Sequence, residues 1–220
     1  VKLNISGDII PNDNKWVYDW LGYDGTCPRD VHELLEKAGG GPVDVYINSG
    51  GGDVFAGSEI YEALRDYSGE VMIHVIYAAS AASVVMCARR SVIAPTGMVM
   101  VHNVSSVSRG DYHAMDKSSE ILQKANQAIA AAYTAKSGKS EAEILEMMDR
   151  ETWLTGQDAV NAGLVDSISE GKMIASGPGT LPQEVVDRIK GAIKNPFQAK
   201  QARKAKAELE FLELKGVCDR

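Results

Sequence analysis

The chain has 220 residues, 45% of them hydrophobic and 24% charged, and carries a formal net charge of -7. That length accommodates one or two domains with a sizeable core, and the composition is ordinary for a globular protein. The acidic balance argues against nucleic acid as the main partner, because phosphate binding draws on surplus Lys and Arg. Cys27, Cys87 and Cys218 are scattered and form no CxxC pair, so neither a disulfide framework nor a zinc knuckle is indicated and reduced thiols are expected.

Residues 1–10 alternate as a strand that ends at Pro11, unlike the apolar core of a secretory signal. No run approaches the ~18 apolar residues that span a bilayer, so the expectation is a cytoplasmic protein with no membrane partner. Residues 12–28, with Trp16, Tyr18, Trp20 and Tyr23, read as a loop or short-helix insertion with aromatic anchors. Pro28-Arg29-Asp30 opens a helix with apolar Val31, Leu34 and Leu35 ahead of Gly39-Gly40-Gly41. Val43–Ile47 is a β-rich run followed by Asn48-Ser49-Gly50-Gly51-Gly52, then a helix with Val54, Ile60 and Leu64, then a strand at Val71–Tyr77. Strand, helix and strand at this spacing make a βαβ unit with a right-handed crossover.

Small residues Ala78–Ala82 lead into a short helix with Val84, Val85 and Met86. A strand at Ser91–Ala94, a turn at Pro95-Thr96-Gly97 and a strand at Met98–Val101 are expected next. Residues 111–136 read as a long helix with Met115, Leu122, Ala125, Ile129 and Ala132 on one apolar face, and Ala125, Ala128, Ala132 and Ala135 as its small-residue part. Gly138 stops it, and Ser140 with Glu143 forms a capping box for a helix at Glu141–Met148. A helix at Gln157–Ala162 and a strand at Leu164–Ile168 close a compact α/β domain over residues 1–175. Ser176-Gly177-Pro178-Gly179 marks a linker into a helical extension over 176–220. In its last helix, Phe197–Lys215, bases precede acids, an order that opposes the helix dipole and suits docking on a neighbour.

Two places carry chemistry. Gly50-Gly51-Gly52-Asp53-Val54-Phe55 sits between strand and helix, where a nucleotide loop would lie. Phe55 occupies the position a GxGxxG pattern requires as Gly, and GxxxxGK[ST] is absent, so phosphate binding is set aside. A loop presenting backbone N–H groups to a developing anion remains. The second place is Ala78-Ala79-Ser80-Ala81-Ala82-Ser83, where a serine at a strand-to-helix turn among small residues suits a nucleophile. Capping and packing alone would also account for Ser and Ala there. His102 follows the apolar run Met98–Val101 and so falls at a strand end facing a cleft, the natural place for a general base, although a structural histidine fits there too. His32, His74 and His113 lie in a surface helix, mid-strand and at a polar helix start, and none is spaced as a metal ligand.

Taken together, Tyr46–Gly52, Ala78-Ala79-Ser80, Met98–His102 and the stretch from Trp153-Leu154 to Gly163-Leu164-Val165-Asp166 resemble the Clp protease proteolytic subunit family, over about residues 1–170. Gly51–Ala56, the doubled Ala78–Ser83 and Glu151-Thr152-Trp153 are similar to the Clp-related head-maturation proteases of tailed phages. The resemblance implies a ClpP/crotonase-like fold of repeated βαβ units and a ring-forming homo-oligomer. It implies a serine endopeptidase acting on a protein or peptide substrate, with capsid or scaffold protein as the natural one, and no metal or organic cofactor. Carried over by position, Ser80 is the nucleophile, His102 the base, and the N–H groups of Gly52 and Ala81 the oxyanion hole. The family's acid position falls on Glu151, with Asp149 as the alternative, and the family's Pro after Ser49 is replaced by Gly50. Ser83, one turn further on, is the rival nucleophile.

Other readings stay open at this point. A crotonase acting on acyl-CoA shares the fold but requires catalytic carboxylates beside the oxyanion loop. A catalytically idle ring scaffold would dispense with the Ser–His pair, and a Ser–Lys peptidase would need a placed lysine. Within the family, a housekeeping subunit working with an ATPase is the alternative to the phage enzyme.

Overall fold

The computed structural model describes residues 1–170, which form one compact unit. The expected linker at Ser176–Gly179 and the helical stretches after it lie outside the described residues. In chain order the elements are β1 (Lys2–Ile9), α1 (Lys15–Leu21), β2 (Gly25–Thr26), α2 (Pro28–Ala38), β3 (Val43–Gly52), α3 (Val54–Asp66), β4 (Val71–Ala79), α4 (Ala81–Met86), β5 (Arg90–Val101), α5 (Tyr112–Ser137), α6 (Glu141–Asp149), β6 (Thr152–Thr155), α7 (Gly156–Asn161) and β7 (Ser167–Ile168). The sheet runs β2-β1-β3-β4-β5-β6, with β7 beside the start of β5. Every pairing is parallel except β5 with β6. This is the α/β architecture of repeated strand–helix–strand turns that the alternating pattern led one to expect.

Alternation along the strands decides which face is buried. Val43, Val45 and Ile47 of β3 and Val71, Ile73 and Val75 of β4 point into the core, where they join Ile60, Leu64, Val85, Met86 and Ile93. Each such side chain contributes about 1.5–3 kcal/mol when fully removed from water. On the opposite face His74 stacks on Tyr46 with centroids 4.6 Å apart and lies 2.9 Å from Asp44. His74 is thereby accounted for as a surface pair. The predicted capping box at Ser140 and Glu143 forms, with Ser140 accepting from Glu143 N–H and Glu143 from Ser140 N–H.

Two expectations need correction. Gly50–Gly52 is not a free loop but the end of β3, where Gly51 and Gly52 pair with Asp8 and Ile9 of β1. Ladder pairing overrides the low strand preference of glycine, and only glycine fits: a Cβ on Gly52 would lie 2.2 Å from Ile9 O. Second, Ser91–Val101 is one strand rather than two around a turn. Its register with β4 jumps from Val75↔Ile93 to Tyr77↔Met98, so Ala94–Gly97 bulges from the ladder, where Pro95 is tolerated without an N–H.

Burial along α5 is uneven. Ile129, Ala130, Ala132 and Tyr133 are buried, whereas Met115 and Ile121 are exposed. Ala128 and Ala135 are also exposed in the single chain. Helical period says which residues align but not how far along the helix another element covers them. Short β2 and β6 carried no clear sequence signal; β6 exists by pairing with β5.

Candidate active site

Parallel register delivers two chemical groups to one point. Ala79 pairs with Met100, and Ser80 N–H donates to Met100 O at 3.1 Å. Ser80 is therefore held against the end of β5, two residues short of His102. His102 Nε2 and Ser80 Oγ stand 2.8 Å apart. Both strands end here, at the carboxyl edge of the sheet where ligands bind in open α/β folds.

Ser80 occupies the turn between β4 and α4 with φ 54° and ψ -128°. A non-glycine residue in this region costs about 1–3 kcal/mol and persists only where its surroundings impose it. The conformation lifts Oγ to the apex of a strand–turn–helix elbow, the geometry a nucleophile requires. Ser83, the rival, is fully buried and its Oγ is committed to Ser80 O and Tyr133 OH, both at 2.7 Å. It has no access to substrate.

Gly52 and Ala81 line the same cleft as Ser80 and His102, a hollow of about 590 Å³. Ala81 is the first residue of α4, and N–H groups of a first turn have no intrahelical acceptor. The glycine run approaches Ser80 closely: a Cβ on Gly51 would lie 2.7 Å from Ser80 Cβ and 2.9 Å from Ala81 N. Asp53, which also borders the cleft, accepts from Ala56 N–H at 2.8 Å as the cap of α3. Its carboxylate is thus occupied structurally, which weakens the acyl-CoA reading.

The two candidate acids flank the end of α6. Asp149 Oδ1 accepts from Asn103 Nδ2 at 2.7 Å, on the residue next to the histidine. Glu151 Oε1 accepts from Trp153 Nε1 at 3.2 Å, and its backbone has φ 47°. Among the described residues neither carboxylate is hydrogen-bonded to His102. The structure brings Ser80, His102, Gly52 and Ala81 together and leaves both acids turned to other partners.

Sequence reasoning did not place the wall opposite α5. Ile10 and Pro11, together with Asn14 and Tyr18 of the insertion, line the cleft, and Tyr18 OH donates to Asp8 Oδ2 at 2.8 Å. The aromatic cluster at 12–28 was the available signal. Leu122 and Ile129 of α5 and Val84 of α4 contribute apolar lining. His32 pairs with Glu59 at 3.5 Å and His113 packs on Tyr112, so neither joins the site. Among the described residues no three His, Cys, Asp or Glu side chains gather as a metal-binding group. Burial pushes the Cys87 thiol up to about 12, which removes it as a nucleophile.

The Clp protease family model matches residues 32–172. The chain belongs to the Clp protease family. It is similar to an ATP-dependent Clp protease proteolytic subunit of Bacteroides fragilis, with 31% identity over 134 residues, 59% of this chain and 64% of that protein. It is also similar to the proteolytic subunit 3 of Rhodococcus jostii, with 30% identity over 176 residues, 76% of this chain and 83% of that protein. A Chlorella vulgaris proteolytic subunit matches at 29% over 129 residues, 57% of this chain and 64% of that protein. The chain thus spans just under two thirds of the Bacteroides and Chlorella relatives. The α/β sheet described above is the ClpP-like fold.

Proposed function

We propose that this Clp-family chain is a serine endopeptidase in which Ser80 attacks the peptide carbonyl. The observation that carries the reading is the 2.8 Å approach of His102 Nε2 to Ser80 Oγ at a strained elbow. The relatives' names as proteolytic subunits agree with it. His102 takes the Ser80 proton through Nε2 as the Oγ–carbon bond forms. The carbonyl oxygen, now negative, is received by the N–H groups of Gly52 and Ala81. His102 returns the proton to the departing amine. Water, deprotonated by His102, then attacks the ester carbonyl. The bond to Ser80 Oγ breaks, Ser80 regains its proton from His102 and the acyl group leaves as a carboxylic acid. Glu151 is the acid assigned to orient the imidazole, with Asp149 as the alternative; either requires a side-chain rotation away from its present donor. Ser80→Ala tests the reading: peptide hydrolysis is lost while the fold persists, and activity near that of the unmodified chain contradicts it.

The natural task proposed is head maturation in a phage or prophage, with capsid or scaffold protein cut by a ring of subunits in the host cytoplasm. Support comes from the runs Gly51–Ala56, Ala78–Ser83 and Glu151–Trp153 and their likeness to that group. Exposed Ile76, Met98 and Trp153 supply apolar surface for a neighbouring copy. A second reading, a housekeeping subunit served by an ATPase, is favoured by the relatives' names. Cleavage of a co-expressed capsid–scaffold protein without ATP separates the two: it supports the first, and a strict requirement for ATP and an unfoldase supports the second.

A further inference from the structure

Ser80 does not keep its strained conformation unaided. Its carbonyl oxygen accepts from Ser83 N–H at 2.9 Å and from the Ser83 hydroxyl at 2.7 Å. Ser83 Oγ is also 2.7 Å from the hydroxyl of Tyr133, fifty residues away on the buried part of α5. The direction of this path follows from the groups themselves. A carbonyl only accepts, so the single hydroxyl proton of Ser83 goes to Ser80 O, and the Tyr133 hydroxyl must donate to Ser83 Oγ. Burial pushes the Tyr133 phenol well above its ordinary range, which keeps it a protonated donor.

We infer that Tyr133 is a positioning residue for the nucleophile, acting through Ser83 to hold the Ser80 turn in its attacking conformation. The inference rests on the reading of Ser80 as nucleophile. A serine bonding back to the carbonyl three residues earlier is a common local habit and by itself fixes little. Here the hydroxyl is oriented from a different helix, inside a site closed to water, where linked hydrogen bonds strengthen one another. The path ends on the backbone of the residue with φ 54°, the place where external restraint is needed. Helix α5 thereby has two roles, since Leu122 and Ile129 line the cleft and Tyr133 braces the elbow.

The test uses the full chain as Tyr133→Phe, Ser83→Ala and the double variant, each removing only hydroxyl groups. The readouts are the rate at which a fluorophosphonate modifies Ser80, and kcat and KM on a fluorogenic peptide, all well below each variant's melting temperature. Each single variant is expected to lower the modification rate and kcat by about three- to thirty-fold, the range that losing one buried hydrogen bond spans. KM should stay within about twofold, since the loss lies in the reacting geometry rather than in substrate binding. The double variant should fall no further than the worse single one, because both act on one path. Folded variants that react at the unmodified rate, whatever their melting temperature, reduce Tyr133 to packing and overturn the inference. If Tyr133→Phe does not fold, Ser83→Ala alone carries the same comparison. An unmodified chain in which Ser80 itself fails to react removes the nucleophile reading, a result distinct from an unaffected rate in the variants.

Discussion

Ser80 and Glu151 are the two non-glycine residues among the described residues that hold a positive φ, at 54° and 47°. Ser80 follows Ala79, which pairs with Met100, and Glu151 precedes Thr152, which pairs with Val101, so the two residues frame the end of β5 where His102 emerges. Left-handed residues gather at active sites but also follow helix ends, so the proposed preference for Glu151 over Asp149 rests on its match to the family's acid position. The opposing observation is the bond from Asn103 to Asp149, which places that carboxylate beside the histidine's neighbour. Glu151→Gln is expected to lower kcat by about ten- to ten-thousand-fold, the upper bound being the cost of a lost triad acid. Asp149→Asn should do less. Parallel kinetics with the reverse ranking would transfer the role to Asp149.

The glycine run offers a steric prediction. Gly51 has φ 94°, and a Cβ there would lie 2.6 Å from Ala79 O and 2.7 Å from Ser80 Cβ. Gly51→Ala must therefore push the nucleophile turn aside. Displacement by about 1 Å at a reacting centre costs on the order of a hundredfold in rate. The expected result is a folded protein with kcat down by that order. An alanine variant with unchanged kcat would mean that the elbow adjusts freely.

Lys136 and Asp166 tie the end of α5 to the start of β5. Lys136 Nζ donates to Asp166 Oδ2 and, at 3.0 Å, to Arg89 O, with its side chain only 9% exposed. Burial alone would raise the Asp166 carboxyl, but the Lys136 and Ser91 donors and the Arg90 charge outweigh it and hold the group below its usual range. Because the folded value is depressed, the stabilisation is complete above the unfolded value of about 3.9 and is lost as pH falls through the folded one. Asp166→Asn leaves the lysine charge poorly paired and should cost about 1–3 kcal/mol at pH 7, below the full cost of a buried pair because Asp166 is 44% exposed. Denaturant titrations at pH 7 and pH 3 should show the difference between variant and unmodified chain narrowing at the lower pH. A constant difference would contradict the assignment.

The meeting of Ser80 and His102 was legible because strand ends are legible. Val71–Tyr77 and Met98–Val101 are clear apolar runs, and parallel pairing of two such runs brings the residues after them side by side. Ser80 and His102 meet for that reason. The limits have physical causes as well. Pro95 and Gly97 normally signal a turn, yet here they form a bulge that the neighbouring ladder bridges. Gly50–Gly52 carries no strand preference of its own and is ordered by β1. Tyr133 carried no signal of its own, because periodicity cannot tell a packed ring from a hydroxyl aimed at a serine fifty residues earlier. The acid is harder still, since side-chain rotation decides it and neither Asp149 nor Glu151 is turned toward His102.

Assembly is open to a direct check. Ile76, Met98 and Trp153 are apolar side chains between 41% and 50% exposed on neighbouring strands of one sheet. A second copy covering them would account for their exposure in a single chain. Sedimentation of the full chain is expected to show a ring-sized species, and Trp153→Arg should shift it toward smaller ones. A monomer at every accessible concentration would contradict the ring.

The central claim, that Ser80 is the nucleophile raised by a strained elbow and activated by His102, is tested most directly by covalent labelling. The full chain is treated with a fluorophosphonate, digested and mapped by mass spectrometry, alongside His102→Ala. The account predicts a single adduct on Ser80 in the unmodified chain and its loss in the His102 variant. An adduct on Ser83, or equal labelling of Ser80 without His102, would contradict it.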